Sequence, residues 1–313
     1  MSLPLLLRSR LRLPLIAAPM FRVSGPELVI AACRAGVVGA FPTANCRSVE
    51  ELDTWLQRIE GALGPQDAPF CPNLIVRHAE LQAQLACLVK HRVSMVITSV
   101  GSPAAVIGPL HDIGCLVLAD VASLRHAHKA LEAGADGLVL LSAGAGGQTG
   151  WANGLAFVRA VRRFFDGPLV LAGGIADGQA LWAARVLGCD LGYMGTPFIA
   201  TDESLAAPAY KQMVVDAELD DVQLSAAFTG LPANMLRPSI VAAGLDPDAL
   251  PAQLGPEAAA AMYGREAGGP KRWQDIWSAG HTVSGVRTLG PVAALVARTR
   301  AEYEAARVAS AAL

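Results

Sequence analysis

Short apolar runs alternate with helical stretches through the first two thirds of this chain, eight times over, at a spacing of roughly 22 residues. The runs are Pro14 to Ala18, Val37 to Ala40, Phe70 to Val76, Met95 to Ser99, Cys115 to Ala119, Gly137 to Leu141, Leu169 to Ala172 and Leu191 to Met194. Gly137 to Leu141 shows no polar alternation, which is the pattern of a strand covered on both faces. Helices are expected over Gly25 to Ala35, Ser48 to Leu63, His78 to His91, Ser123 to Ala133, Leu155 to Phe165 and Gly178 to Leu187. Gly36 supplies a C-terminal stop, and Ser48 with Glu51 three residues on forms a capping pair. Eight such units predict a closed parallel (β/α)8 TIM barrel, with an open doubly wound sheet as the alternative.

Composition supports a large helix-on-sheet core. Hydrophobic residues make up 53% of the 313 and charged residues 17%, which argues against disorder. A net charge of −2 gives no electrostatic case for nucleic acid or an anionic membrane as partner. Cys33, Cys46, Cys71, Cys87, Cys115 and Cys189 are scattered without a CxxC pair, so buried reduced thiols in a cytoplasmic protein are expected and no metal site. Arg8, Arg10 and Arg12 interrupt the greasy N-terminus, and no apolar run approaches the ~20 residues of a membrane span.

In a barrel, ligand-binding residues lie just after the strands. Met20, Asn73, Gly101, Asp120, Gln148, Gly173-Gly174 and Gly195-Thr196 all fall there. Gly144-Ala145-Gly146-Gly147-Gln148-Thr149-Gly150 leaves little side-chain wall, so its backbone can approach a flat or anionic ligand. Glycine turns at 173–174 and 195–196, on consecutive strands, occupy the phosphate position of such barrels, where backbone N–H groups and the Thr196 hydroxyl would bind a dianion. Asn73, mid-strand, offers a donor and an acceptor to a heterocycle edge or to a neighbouring strand. Asp120 reads as a general base or as a cap for the helix beginning at Ser123. His126 and His128 do not share a helix face and read as solvated surface. His281 follows Gly280 and could enter from a lid.

The repeat stops at Thr201. Pro- and Gly-broken stretches run to Gly280, and Pro291 to Val308 is a last amphipathic helix. Three segments are expected: a barrel over 1–200, a helical insertion or lid setting substrate choice over 201–285, and a C-terminal helix over 286–313 that packs back on the barrel.

Ala18-Pro19-Met20, Asn73-Leu74, Val100-Gly101-Ser102-Pro103, GAGGQTG, AGGIADG (172–178), MGTPF (194–198) and WSAG (277–280) together resemble the nitronate monooxygenases, formerly 2-nitropropane dioxygenases. The match runs across most of the chain in the correct order. The resemblance implies an FMN-bound (β/α)8 barrel acting on a small molecule, with O2 or an organic acceptor as oxidant and a homodimer left open. It also implies that Pro19, Met20 and Asn73 contact the flavin ring, that Gly146 and Gly147 line it, that Gly173, Gly174, Gly195 and Thr196 hold the phosphate, and that Met194 belongs to the cofactor site. The same family includes NAD(P)H-dependent reductases of quinones and enoyl thioesters.

The chemistry-bearing positions depart from the common pattern. Gly144 stands for a usual Glu, Gln148 for a usual His, Leu141 for a Gln and Asp120 for a Lys. Gln148 cannot titrate and cannot serve as a base. A nitronate is already an anion and needs none, so nitronate oxidation is expected rather than nitroalkane oxidation. Gln148, Asp120 and His281 are the catalytic candidates. A flavin-free barrel lyase or isomerase, with Asp120 as base on a sugar phosphate, is the reading from another class.

Overall fold

A computed structural model describes residues 3–264 and 267–311; the outermost ends of the first and third expected segments, and 265–266 within the second, lie outside the described residues. The described residues form eleven strands: β1 Leu15–Ala17, β2 Val38–Pro42, β3 Phe70–Ile75, β4 Met95–Ser99, β5 Leu116–Val121, β6 Gly137–Leu141, β7 Gly147–Gln148, β8 Leu169–Ala172, β9 Leu191–Met194, β10 Val222–Ser225 and β11 Ala233–Leu236. Eight of them close a parallel barrel in the order β1-β2-β3-β4-β5-β6-β8-β9, with β9 paired back on β1. The TIM barrel is thus confirmed over an open sheet.

Period two divides the strand residues between two cores. Ile16, Val38, Ala40, Cys71, Met95, Ile97, Leu118, Val139, Val170, Ala172 and Leu191 fill the barrel itself. Their alternates, such as Leu15, Phe41, Leu74, Val117 and Leu138, meet the surrounding helices. Leu3 and Leu7, on either side of the start of the short helix Leu5–Arg10, join the inner core, so the greasy N-terminus plugs the N-terminal end of the barrel. Access to the interior is left to the C-terminal end.

A helix not anticipated from sequence, Ala104–Asp112, lies between β4 and β5. Gly108 and Pro109 argue against it locally, but Val106, Ile107 and Leu110 are buried on one face, and packing outweighs propensity. The eighth helix of the barrel ring is displaced along the chain. Val292–Ser310 packs against the helices Gly178–Leu187 and Pro26–Ala35 and so closes the ring after the insertion. Trp182 and Tyr303 meet edge to face at 5.5 Å there, and Gly178 N donates to Glu302 Oε2 at 3.0 Å.

The insertion is not purely helical. Beside the helices Pro208–Asp216, Arg237–Ala242 and Pro256–Tyr263 it contains β10 and β11, which with β7 make a three-stranded antiparallel sheet. It has a small core of its own, including Phe228, Met235, Ile240, Tyr263 and Ile276. Among the described residues no helix is long and apolar enough to cross a membrane, and all six cysteines are buried and unpaired.

Candidate active site

The C-terminal ends of the barrel strands carry the polar residues that the core excludes. On β3, Asn73 is buried and its Nδ2 donates to Ile97 O at 3.3 Å, while Ser99 Oγ donates to Asn73 Oδ1 at 3.2 Å. One carboxamide therefore has both ends engaged by β4. After β4 the chain turns sharply at Val100, φ 54°, and Gly101, φ 153°. A β-branched residue in the left-handed region is strained, and such strain gathers at ligand-binding turns.

Asp120 lies within β5, not after it, and continues the inward-facing series of Leu116 and Leu118. Its Oδ1 is buried without a hydrogen-bond partner. The residue as a whole is half-buried. Desolvation pushes its carboxyl up to about 7. Burial raises the Tyr193 hydroxyl well above its ordinary range, and the nearby Asp120 raises it further. The capping role weighed for Asp120 belongs to Ser123, whose hydroxyl accepts from His126 N at 3.2 Å.

The glycine loop after β6 is held from three directions. Asn234, buried on β11, donates Nδ2 to Ala145 O at 2.8 Å. Thr149 Oγ1 donates to Ser142 O at 2.8 Å, and His281 N donates to Gly144 O at 2.9 Å. Gly144 has φ 89°, and a Cβ there would sit 2.7 Å from His281 Nδ1. The missing side chain at 144 is thus what admits the His281 ring. A Cβ on Gly146 would meet Gly280 N at 2.7 Å, and Gly147, φ 66°, faces Trp273 and Ser278. These glycines allow the 273–281 segment to close on the loop.

Gln148 is exposed and lies on β7, paired with Ala233 of the insertion, rather than at the end of a barrel strand. Its side chain is therefore positioned by the insertion sheet. His281 is exposed at the start of the short 3-10 turn His281–Gly285. The structure brings His281 against the loop that carries Gln148, whereas Asp120 stands apart in the barrel interior.

At the ends of β8 and β9, Gly173 and Gly174 have φ 102° and 84°. A Cβ on Gly173 would crowd Ser142 Oγ at 2.6 Å, but one on Gly174 would meet nothing within 4 Å. Gly195 has φ −112°, and its Cβ would find Met20 Sδ at 3.4 Å. Neither its conformation nor its protein neighbours demand glycine. Thr196 is buried and its Oγ1 accepts from Gly280 N at 2.9 Å, which leaves the hydroxyl proton to donate. Met194 is fully buried; Pro19 and Met20 are half-buried. Their turn is fixed by Met20 N donating to Ser24 Oγ at 3.0 Å and Asn45 Nδ2 donating to Met20 O at 3.1 Å.

Sequence reasoning missed Ser99, Tyr193, Ser142 and Asn234. Alternation along β4 and β9 would have placed Ser99 and Tyr193 inward with Asn73 and Asp120. Nothing local marks Asn234.

The nitronate monooxygenase family profile matches residues 77–301. A nitronate monooxygenase of Paraburkholderia phytofirmans is 27% identical over 277 aligned residues, covering 74% of this chain and 76% of that one. An octahydro-indene-carboxyl-CoA dehydrogenase of Mycobacterium tuberculosis is 26% identical over 231 residues, covering 73% of this chain. The chain spans 64% of that relative's length. The crystal structure of a nitroalkane oxidase from Streptomyces ansochromogenes superposes with a TM-score of 0.81 at 28% identity, covering 97% of this chain and 99% of that one.

Proposed function

Because this chain belongs to the nitronate monooxygenase family of oxidoreductases, we propose that it binds FMN and oxidises alkyl nitronates to a carbonyl compound and nitrite, with O2 as oxidant. The observation that carries the cofactor assignment is the paired glycine turn at the ends of β8 and β9. Gly174 opens onto free space and Gly195 is glycine without a steric reason inside the protein. Backbone N–H groups and the Thr196 hydroxyl there suit a phosphate without Lys or Arg. Pro19, Met20, Asn73, Gly146 and Gly147 would hold the ring system. When bound, FMN supplies a two-electron acceptor.

The residues of this chain then divide the remaining work. Gln148 presents an amide NH2 from the insertion sheet and would donate to the nitro oxygens of an anion that needs no base. His281, seated over Gly144, is a titratable group against that loop and would meet the substrate's outer end. Residues 201–285 would set substrate choice, because β11 fixes both Gln148 and, through Asn234, the glycine loop.

A second reading, an NAD(P)H-dependent reductase of enoyl thioesters or quinones, is favoured by one feature. Trp151 is 84% exposed and Leu155 58% exposed, immediately after the glycine loop, where an apolar chain could lie. Anaerobic mixing of FMN-loaded protein with a nitronate panel, NADH and NADPH separates the two. Bleaching by nitronates and not by nicotinamides is expected. Bleaching by NADPH alone would replace the proposal with the reductase, and failure to bind added FMN would remove both.

A further inference from the structure

Asp120 is the sole Asp, Glu, Lys, Arg or His on the eight barrel strands. Its Oδ1 is enclosed and unpartnered, unlike the Asn73 carboxamide two strands away, which is satisfied at both ends. The titratable groups that face it are Tyr193 from β9 and Cys71 from β3, both held neutral chiefly by burial. Neither is a cation, and Leu3 and Leu7 plug the barrel below. A proton therefore reaches Asp120 from the C-terminal mouth.

We propose that Asp120 is a charge-balancing residue that takes up one solvent proton when the isoalloxazine held at the barrel mouth is reduced. The inference rests on the FMN reading above. An acid without a counter-ion in a low-dielectric interior pays heavily for its negative charge. Two electrons arriving at the mouth with a single proton leave one net negative charge beside it. Like charges disfavour each other, so the affinity of Asp120 for a proton rises and the carboxylate is neutralised to a carboxylic acid. The electrons come from the nitronate in turnover, or from dithionite in the test. One proton goes to the cofactor and one to Asp120, both from water. A fixed Lys or Arg at this position would offset the same charge with no proton taken up; a lone Asp makes the offset pH-dependent.

The test compares FMN-loaded wild type with Asp120→Asn, which keeps the side chain's shape and removes its titration. Midpoint potentials are taken by dithionite titration with indicator dyes from about pH 5 to about pH 9, the range spanning a raised carboxyl. The wild type should show a steeper fall of potential with pH than the variant, by one extra proton per electron pair, over a window that begins near neutrality. Outside the window the two lines should run parallel. Coincident slopes in two proteins that both hold flavin would overturn the inference and leave the FMN reading intact. Absence of flavin absorbance after reconstitution would overturn both. Should the variant not fold, redox-difference infrared spectra of wild type labelled with 13C-carboxyl aspartate provide the same decision. A protonated-carboxyl band that appears on reduction and shifts with the label supports the proposal, and its absence ends it.

Discussion

Asp190 and Asp120 are aspartates at opposite ends of the barrel strands, and the fold treats them in opposite ways. Asp190, just before β9, is buried, and its Oδ2 accepts from Arg162 Nη2 at 2.7 Å and from Leu169 N at 3.1 Å. Arg162 donates further to the carbonyls of Gly188, Phe165 and Gly167, and Arg185 to those of Cys189 and Asp190. Each charge of this network has a partner close by. Asp120, toward the other end of β5, has an enclosed oxygen with none. In a (β/α)8 barrel the N-terminal end serves stability and the C-terminal end serves chemistry. The contrast places a structural network below and an unsatisfied group above, where a ligand can complete it.

The largest expected effect is on the paired end. Asp190→Ala leaves the partly buried Arg162 without its carboxylate and removes a buried ion-pair partner, and we predict a loss of about 3 kcal/mol of stability. Urea unfolding of the ligand-free protein measures it. A loss under about 1 kcal/mol would mean that the network contributes little, and the contrast between the two ends would fail.

At the upper end the losses should fall on chemistry instead. Gln148→Leu is predicted to slow reduction by preformed nitronate about ten- to a hundredfold, the worth of one charge-assisted hydrogen bond. Its stability should stay within about 0.5 kcal/mol of wild type, because the side chain is exposed. Single-turnover reduction across pH checks this, with Gln148→His predicted to add activity on neutral nitroalkanes. An unchanged rate and affinity for Gln148→Leu would reduce Gln148 to pocket lining.

Gly144→Ala probes the boundary between the two roles. Its positive φ and the approach of His281 predict a loss of about 1–2 kcal/mol. Hydrogen exchange should rise in the 273–285 segment, which packs on that loop. Gly174→Ala carries the backbone strain alone, since nothing lies near its Cβ, and should leave that segment protected.

The barrel was legible because its strands are short apolar runs and its helices carry readable end signals, such as Ser48 opening one and Gly36 closing another. The helix Ala104–Asp112 was hidden by Gly108-Pro109, whose local preference is overridden by burial of Val106, Ile107 and Leu110. β10 and β11 were hidden for a different reason. VQLS and ANML are too short to show a period, and they become strands by pairing with each other and with Gly147–Gln148, far away in sequence. The same non-locality governs the site. Glycines 173, 174 and 195 and the polar Asn73 and Asp120 announce themselves, because an interior strand rarely carries an amide or an acid. The seating of His281 over Gly144 and the grip of Asn234 on Ala145 depend on where the insertion returns, which no local pattern encodes.

The smallest predicted effect is the one that tests the unpaired end directly. A carboxyl raised to about 7 in the folded protein, against an ordinary 3.8, binds a proton when folded over a range where the unfolded chain has lost it. Stability contributed by that bound proton is fully present below the unfolded value and declines as pH rises from about 4 toward about 7. Asp120→Asn has no such decline. Relative to wild type, the variant should therefore gain stability between about pH 4 and about pH 8, by on the order of 1 kcal/mol. The full linkage value would be larger, but the residue is half-buried, and water at the open mouth moderates the cost of its charge. Paired urea titrations of the FMN-free proteins at the two pH values measure the difference. A wild type that gains stability relative to Asp120→Asn over this range would show that Asp120 finds a favourable partner when ionised, and the contrast with Asp190 would collapse.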